Sequence, residues 1–345
     1  MSLFAILVAV LGVGLLMVVH EGGHHLVARA FGMRVLRFSI GFGPTLWRHQ
    51  PRGSDTTYQI ALIPFFAYVQ VDGMNPFEDN DPNDKGSYAN ATLTARIATI
   101  VAGPLANYLF ASVLFFAAFM IGGKEAPSTT VKVHKDGPAA VGKMKSGDKV
   151  VNINGKEIVE FEQMRQIILR SPNKKLKVVV LRKGKRKTLE ITPETKKGGQ
   201  GGWIKVSSRL KFVPMGVQEA AKESVIFPAL VVKRLVVALS RFATGEEKPE
   251  LAGPVGIVKV AGKAADLGLH VYLGFLGALS AYLGGFNLLP FPALDGGRLM
   301  FLGYEAVARR QADARMEARV HMVGLLMLLA LIFVVTIFDV KHFGD

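Results

Sequence analysis

The chain has 345 residues and no cysteine, which excludes disulfides and cysteine-ligated metal and leaves His and carboxylate side chains as the available ligands. Half of its residues are hydrophobic and its mean hydropathy is +0.30, which points away from a soluble enzyme and toward several membrane spans, while the length suggests two or three domains. The net charge of +15 is local: residues 124–215 carry 22 Lys and Arg against 8 Asp and Glu, so the excess belongs to one hydrophilic insert and does not mark a nucleic-acid binder.

Leu3–Ala30 reads as one long helix. Leu3 to Val19 holds no charge and runs into His20-Glu21-Gly-Gly-His24. H-E-x-x-H on a helix puts two imidazoles on one face at i and i+4, with a Glu beside the first to act as general base. Ionisable groups at the end of a membrane-length helix are costly and are functional candidates by default. Gly32 is the expected helix stop. No basic n-region and no small-residue cleavage site precede His20, so the helix is expected to be retained as a span. Arg29, Arg34 and Arg37 follow the apolar run and place the His20 end on the cytoplasmic side by the positive-inside bias.

Arg34–Ile40 and Tyr58–Ile63 read as short strands, broken by the turn signals Gly41-Phe-Gly-Pro44 and Pro51–Asp55. An exposed strand edge near the helix could accept an extended substrate; a plain surface hairpin is the alternative. Asn75–Asn90 reads as a polar loop. Ile97–Ile121 is a second uncharged span, containing Gly103-Pro104 and Asn107; Asn107 either donates to the active site or bonds a neighbouring helix, the second being the favoured role.

Residues 128–208 read as a soluble α/β module, with strands at Thr130–Val133, Lys149–Ile153, Leu176–Leu181 and Thr188–Ile191. Glu160–Arg170 is its helix and Arg182–Arg186 a solvated hairpin tip. Met215–Thr244 is amphipathic and is expected to lie on the membrane surface. Gly253-Pro-Val-Gly256 breaks the chain, and a third span covers roughly Leu267–Leu289. Met300–Arg319 is a polar helical connection on the inner side, and His321–Phe338 is the fourth span.

Two histidines leave a tetrahedral zinc one protein ligand short. Asp295, in Asn287-Leu-Leu-Pro-Phe-Pro-Ala-Leu-Asp295, arrives at the end of the third span, at the same inner boundary to which the first span delivers His20. Capping of a helix beginning at Gly296 is the alternative role for this Asp. His25 points about 100° away from His24 and reads as packing or support for the site. His49, His134, His270, His321 and His342 have no partner at ligand spacing.

These motifs resemble the site-2 protease family of intramembrane zinc metalloproteases, specifically the bacterial regulator-of-sigma-E protease type. The resemblance covers nearly the whole chain. It rests on His20-Glu21-x-x-His24, Gly41-Phe-Gly-Pro44, Ile63-Pro64 with Tyr68-Val69, Ala102-Gly-Pro-x-x-Asn107, Gly253-Pro-Val-Gly-Ile257 and Asn287-x-x-Pro290-x-x-x-Leu294-Asp295-Gly296. It implies Zn²⁺ held by His20, His24 and Asp295, water activation by Glu21, and substrate-backbone contact from Asn287. It also implies a membrane-associated β-element whose Phe66, Ala67 and Tyr68 face the substrate. Phe66-Ala67 stand where many relatives carry a glycine pair, a departure expected to reshape that groove. The insert resembles a PDZ domain through Gly137-Pro-Ala-Ala140, Gly147-Asp148 and Val151-Asn-Ile-Asn-Gly155; only one such segment is present, whereas some relatives carry two.

The fold expected is thus a polytopic α-helical membrane protein with four transmembrane helices, a small membrane-associated β-sheet and one soluble PDZ-like α/β insert. Its parts are 1–32 (first span with H-E-x-x-H), 33–92 (β-element and loop), 93–123 (second span), 126–210 (PDZ-like), 211–250 (amphipathic surface helix and linker), 251–299 (third span with the Asp295 motif) and 300–345 (cytoplasmic connection and fourth span). The function expected is intramembrane endoproteolysis of pre-trimmed single-span proteins, of the anti-sigma-factor type, or of remnant signal peptides. A bacterial inner membrane is implied, with both termini and the insert outside and the site near the cytoplasmic face. The partners expected are transmembrane helical substrates, membrane lipid and a C-terminal peptide at the insert. A non-catalytic PDZ adaptor is the rival, and a zinc transporter ranks last because the spans offer ligands only at their inner ends.

Overall fold

The computed structural model describes residues 3–75, 81–195, 201–246 and 253–341, without the side chains of residues 3–5, 64–66, 243 and 314. In chain order its elements are α1 (Leu3–Ala30), β1 (Val35–His49), β2 (Thr57–Val71), α2 (Leu93–Gly122), β3 (Lys124–Val133), α3 (Pro138–Val141), β4 (Lys149–Ile153), β5 (Lys156–Glu157), α4 (Phe161–Leu169), β6 (Leu176–Arg182), β7 (Lys185–Ile191), β8 (Glu194–Thr195), β9 (Gly202–Trp203), β10 (Val206–Val213), α5 (Val217–Ala243), α6 (Pro254–Leu267), α7 (Leu269–Asn287), α8 (Asp295–Ala308) and α9 (Ala314–Lys341). The chain divides into two compact units, residues 1–121 with 216–345, and residues 122–215.

Four helices in the first unit are long and apolar enough to cross a membrane: Ile6–Ala30 of α1, α2, α7, and Arg315–Lys341 of α9. A helix satisfies its own backbone, which lipid requires. α1 stops as expected: Gly32 takes φ +78 and the Met33 N–H returns to the Ala28 carbonyl at 2.9 Å. α2 starts on a Thr92 cap, whose Oγ1 accepts the Ala95 N–H. The packed centre of the bundle is built from Ala9 and Leu16 of α1, Leu114 of α2, Ala261 and Ala264 of α6, and Tyr272 and Leu276 of α7.

Three expectations need correction here. The third span is preceded by a separate helix, α6, because Gly268 (φ +122) breaks the chain between α6 and α7. The polar connection after the third span starts earlier than Met300: α8 opens at Asp295 itself and ends at Arg309, which adopts a left-handed conformation. α5 has more than a surface role, since Phe227 packs edge-on against Phe115 and Phe119 of α2. Its Val225, Ile226, Leu230 and Val236 remain exposed.

The β-element is larger than two short strands. β1 and β2 pair with each other and each bends on itself, so that 35–40 run antiparallel to 67–71 while 37–40 and 57–60 run in the same direction. Residues 35–40 pair on one side with 67–71 and on the other with 57–60, while 45–49 pair with 58–61. The result is a four-armed sheet in the order 45–49, 57–61, 35–40, 67–71. Gly41 (φ +95) and Gly43 (φ +92) make the bend in β1, so Gly41-Phe-Gly-Pro44 lies within a strand and does not end it. A Cβ on Gly41 would press on the Ala61 and Ile63 carbonyls at 2.8 and 2.9 Å. The loop that follows is tied back by Arg34, whose guanidinium bridges Asp72 and Asp84.

The second unit has its own core of Val131, Met144, Val150, Ile153, Met164, Leu176, Val178, Val180 and Ile191. Its main sheet runs β10-β3-β4-β6-β7, with β5 paired to β4. The expected strands and helix lie within β3, β4, β6, β7 and α4, with the hairpin turn at Lys183-Gly184; β10 was not foreseen.

Candidate metal centre

α1 presents His20 and His24 on one face, 8% and 9% exposed, and the start of α8 brings Asp295 against both. His20 Nε2 lies 3.1 Å from Asp295 Oδ2, His24 Nε2 lies 3.4 Å from the same oxygen, and the two Nε2 atoms are 3.3 Å apart. A tetrahedral ion with ligand bonds of about 2.0–2.1 Å sets its ligand atoms about 3.3 Å apart, so this triangle has the edge that zinc demands. Among the described residues it is the one group of His, Asp or Glu with metal-site spacing.

The hydrogen bonds behind the imidazoles decide what faces the centre. His24 Nδ1 donates to the Thr99 carbonyl at 2.7 Å, which leaves a neutral His24 with a bare Nε2. His20 Nδ1 is 3.1 Å from the Asn107 amide nitrogen, while the buried Asn107 Oδ1 has no partner. Turned over, that amide offers its oxygen to a His20 Nδ1–H and bares the second Nε2. Asp295 Oδ2 is likewise buried without a bonded donor. Three acceptor atoms converging with no donor among them repel one another unless a cation lies between them. The residues therefore fit zinc.

Local sequence explains the close approach. A Cβ on Gly103 would overlap the His24 ring, and one on Gly23 would overlap the Ala102 carbonyl, so the α1–α2 crossing depends on this glycine pair. On α8, a Cβ on Gly296 would strike the Leu288 and Leu289 carbonyls, and one on Gly297 the Phe291 carbonyl at 2.5 Å. These two glycines seat the Asp295 turn on the 288–291 loop.

Glu21 is half-buried, with His20, His24 and Asp295 as neighbours and the Val69 backbone N–H close to its carboxylate. The 67–71 arm of β2 thus lies beside the glutamate. Tyr68 on that arm bonds Gln59 at 3.2 Å and Arg37 at 3.3 Å, and Ala67 pairs with Ile40. The Phe66 side chain lies outside the described residues. Asn287 is the last residue of α7, half-buried, with no side-chain hydrogen bond among the described residues. His25 packs edge-on to Phe38 and bonds the Tyr58 hydroxyl at 3.2 Å, beneath the β-element. Two residues outrun their sequence reading. Asn107 meets His20, the less favoured of its two expected roles; the shared Ala102–Asn107 motif is the available signal. His321, read as incidental, bonds the Ala293 N–H, and nothing local to it announces that.

A paired-histidine and carboxylate centre built on a membrane-length helix, with a glutamate beside it, defines a membrane-embedded metallopeptidase. The model of Peptidase family M50 matches residues 8–331, and the chain belongs to that family, the site-2 proteases. It is 34% identical over 339 residues to a candidate zinc metalloprotease of Mesorhizobium japonicum, covering 90% of this chain and 91% of the relative. A candidate zinc metalloprotease of Clostridium acetobutylicum is 30% identical over 343 residues, 99% of each chain. Zinc metalloprotease RasP of Geobacillus kaustophilus is 28% identical over 407 aligned positions, 96% of each.

Proposed function

We propose that His20, His24 and Asp295 hold the zinc of this intramembrane metalloprotease and that Glu21 is its general base and acid. The observation that carries the reading is the triangle of two Nε2 atoms and one carboxylate oxygen, with edges of 3.1–3.4 Å. Zinc held there would supply Lewis acidity, polarising water and the scissile carbonyl. Glu21 takes the water proton and returns it to the leaving amine. The Val69 N–H, close to the Glu21 carboxylate, sets the 67–71 arm beside the glutamate. Thr99 and Asn107 keep the imidazole nitrogens correctly protonated from behind. Asn287, with no side-chain partner of its own among the described residues, is free to hold the substrate backbone.

The substrate must present an extended peptide, so a transmembrane segment has to unwind near the cut, and glycine or other weak helix formers there favour cleavage. We read the substrates as pre-trimmed single-span proteins of the anti-sigma-factor type or remnant signal peptides. Phe66, Ala67 and Tyr68 would line their path. Residues 126–210 are read as a PDZ-like module that takes a new C-terminus or screens out bulky ectodomains. The placement in a bacterial inner membrane, with the site toward the cytoplasm, rests on Arg29, Arg34, Arg309, Arg310, Arg315 and Arg319 flanking the same ends of the spans. The exposed apolar residues of α5, interleaved with Lys222, Lys233 and Arg234, suit a lipid interface.

Two variants test the assignment together. Glu21→Gln is expected to purify folded with stoichiometric zinc and to cleave no model transmembrane substrate. Asp295→Ala is expected to lose zinc at low free metal. Turnover by the first, or full zinc in the second, removes that residue from the role given to it.

A further inference from the structure

His321 stands near the start of α9 and lines a cavity with Glu317, Arg298 and the 68–71 stretch of β2. Its Nδ1 accepts the backbone N–H of Ala293 at 3.0 Å. Ala293 has φ +74, a left-handed conformation in a residue that is not glycine, and it lies two positions before Asp295. An L side chain keeps that conformation only where its surroundings impose it. Leu294 is then extended (φ −97, ψ 165), and α8 begins at Asp295. Almost one helical turn beyond His321, Gly324 lies directly on Pro292: a Cβ there would overlap the proline ring and meet the Pro292 carbonyl oxygen at 2.7 Å. α9 therefore grips two consecutive residues of the loop, Pro292 by contact and Ala293 by hydrogen bond.

An Nδ1 that accepts carries no proton, so the neutral His321 ring bears its hydrogen on Nε2. That atom is buried without a hydrogen bond, 3.9 Å from Glu317 Oε1. Phe301 of α8 flanks the ring at 5.8 Å. The Ala293 N–H is therefore the one hydrogen-bond partner that fixes the His321 tautomer among the described residues.

We infer that His321 is a positioning residue for the metal centre: by accepting the Ala293 N–H it holds the left-handed turn that aims Asp295 at His20 and His24. The inference rests on the reading of Asp295 as a ligand. It makes α9, which supplies no ligand, part of what fixes the third one.

The test uses full-length protein in detergent, with zinc affinity read by competition with a chromogenic chelator and cleavage read as separate kcat and KM. Loss of such an outer partner typically costs 10–100-fold in metal affinity, so His321→Ala is expected to bind zinc at least about tenfold more weakly, with a lower kcat and little change in KM. Asn places its Oδ1 where His places Nδ1, and Gln does not. His321→Asn is therefore expected to stay within about threefold of wild type, and His321→Gln to resemble the alanine variant. A histidine that served only as packing would not distinguish Asn from Gln. Glycine adopts positive φ freely, so adding Ala293→Gly to His321→Ala is expected to recover zinc affinity. Equal zinc affinity in all the variants, or an Asn variant as weak as Gln, overturns the inference. If His321→Ala does not fold, the comparison of Asn with Gln decides. Asp295→Ala, run in parallel, separates the two readings: wild-type zinc affinity there removes the ligand itself, whereas its loss beside an unaffected His321→Gln removes only the role of His321.

Discussion

Gly103 lies directly against the His24 ring: a Cβ at that position would overlap Nε2 and sit 2.6 Å from Cε1. The glycine on α2 is thus part of the histidine's site on α1. Adding one methyl leaves the ring two options, to rotate off the Thr99 carbonyl or to push the helices apart. Gly103→Ala is expected to weaken zinc binding by about tenfold or more, comparable to loss of a supporting partner, even though alanine is the better helix former by about 1 kcal/mol. Chelator competition measures the first effect and circular dichroism the second. Unaltered zinc affinity would show that the ring does not need this space.

Asn107 gives a sharper contrast. A side chain that accepts from His20 Nδ1 keeps Nε2 bare, and one that cannot accept does not. Asn107→Leu is expected to lower zinc affinity about 10–100-fold. Asn107→Asp, an obligate acceptor, should preserve or tighten binding. Indistinguishable affinities in the two variants would refute the tautomer assigned to His20.

The Arg96–Glu305 ion pair links the start of α2 to α8, the helix that carries Asp295, with side chains 9% and 16% exposed. Removing one member of a buried pair strands the other, which costs about 3–5 kcal/mol, whereas replacing both with apolar groups is much milder. Arg96→Met is therefore expected to lower thermal stability strongly and Arg96→Met/Glu305→Leu to recover most of it. Additive losses in this double-mutant cycle would mean that the pair carries no coupling.

Acid sensitivity of residues 122–215 follows from Asp148. Burial by itself would raise its pKa, but the Arg182 guanidinium, bound at 2.7 Å through both Nε and Nη2, and the Lys145 N–H lower it below the ordinary carboxylate value. A depressed native pKa contributes stability that is complete above the unfolded value of about 3.9 and is lost as pH falls through the native one. Trp203 reports this unit once Trp47, the other tryptophan, is replaced by Phe. Its denaturation midpoint should be flat between about pH 7 and pH 5 and fall below about pH 4. Arg182→Leu should be less stable at pH 7 and converge on the parent as the acid limb is descended. Parallel curves would exclude Asp148 as the source.

The features legible in sequence share one property: they are local. Apolar runs announced α1, α2, α7 and α9, and i, i+4 spacing placed His20 and His24 on one face. Hydropathy and charge bias together brought Asp295 to the same depth, and the two groups meet at 3.1 Å. The bend within β1 was misread as a strand end because Gly41 and Gly43 signal a break equally well in either setting. α6 goes unread for a similar reason, since Gly253-Pro-Val-Gly256 signals a break although Pro254 opens a helix, and composition does not reveal that Gly268 takes φ +122.

What the sequence by itself determined is the set of spans, the metal-binding chemistry and the helix that carries it, because periodicity and donor type are properties of neighbouring residues. Tertiary structure alone decided what lies behind His24, that Val69 comes beside Glu21, and that His321 bonds Ala293. Those outcomes depend on backbone groups at Thr99, Val69 and Ala293. Every residue has such groups, so only their position in space distinguishes them.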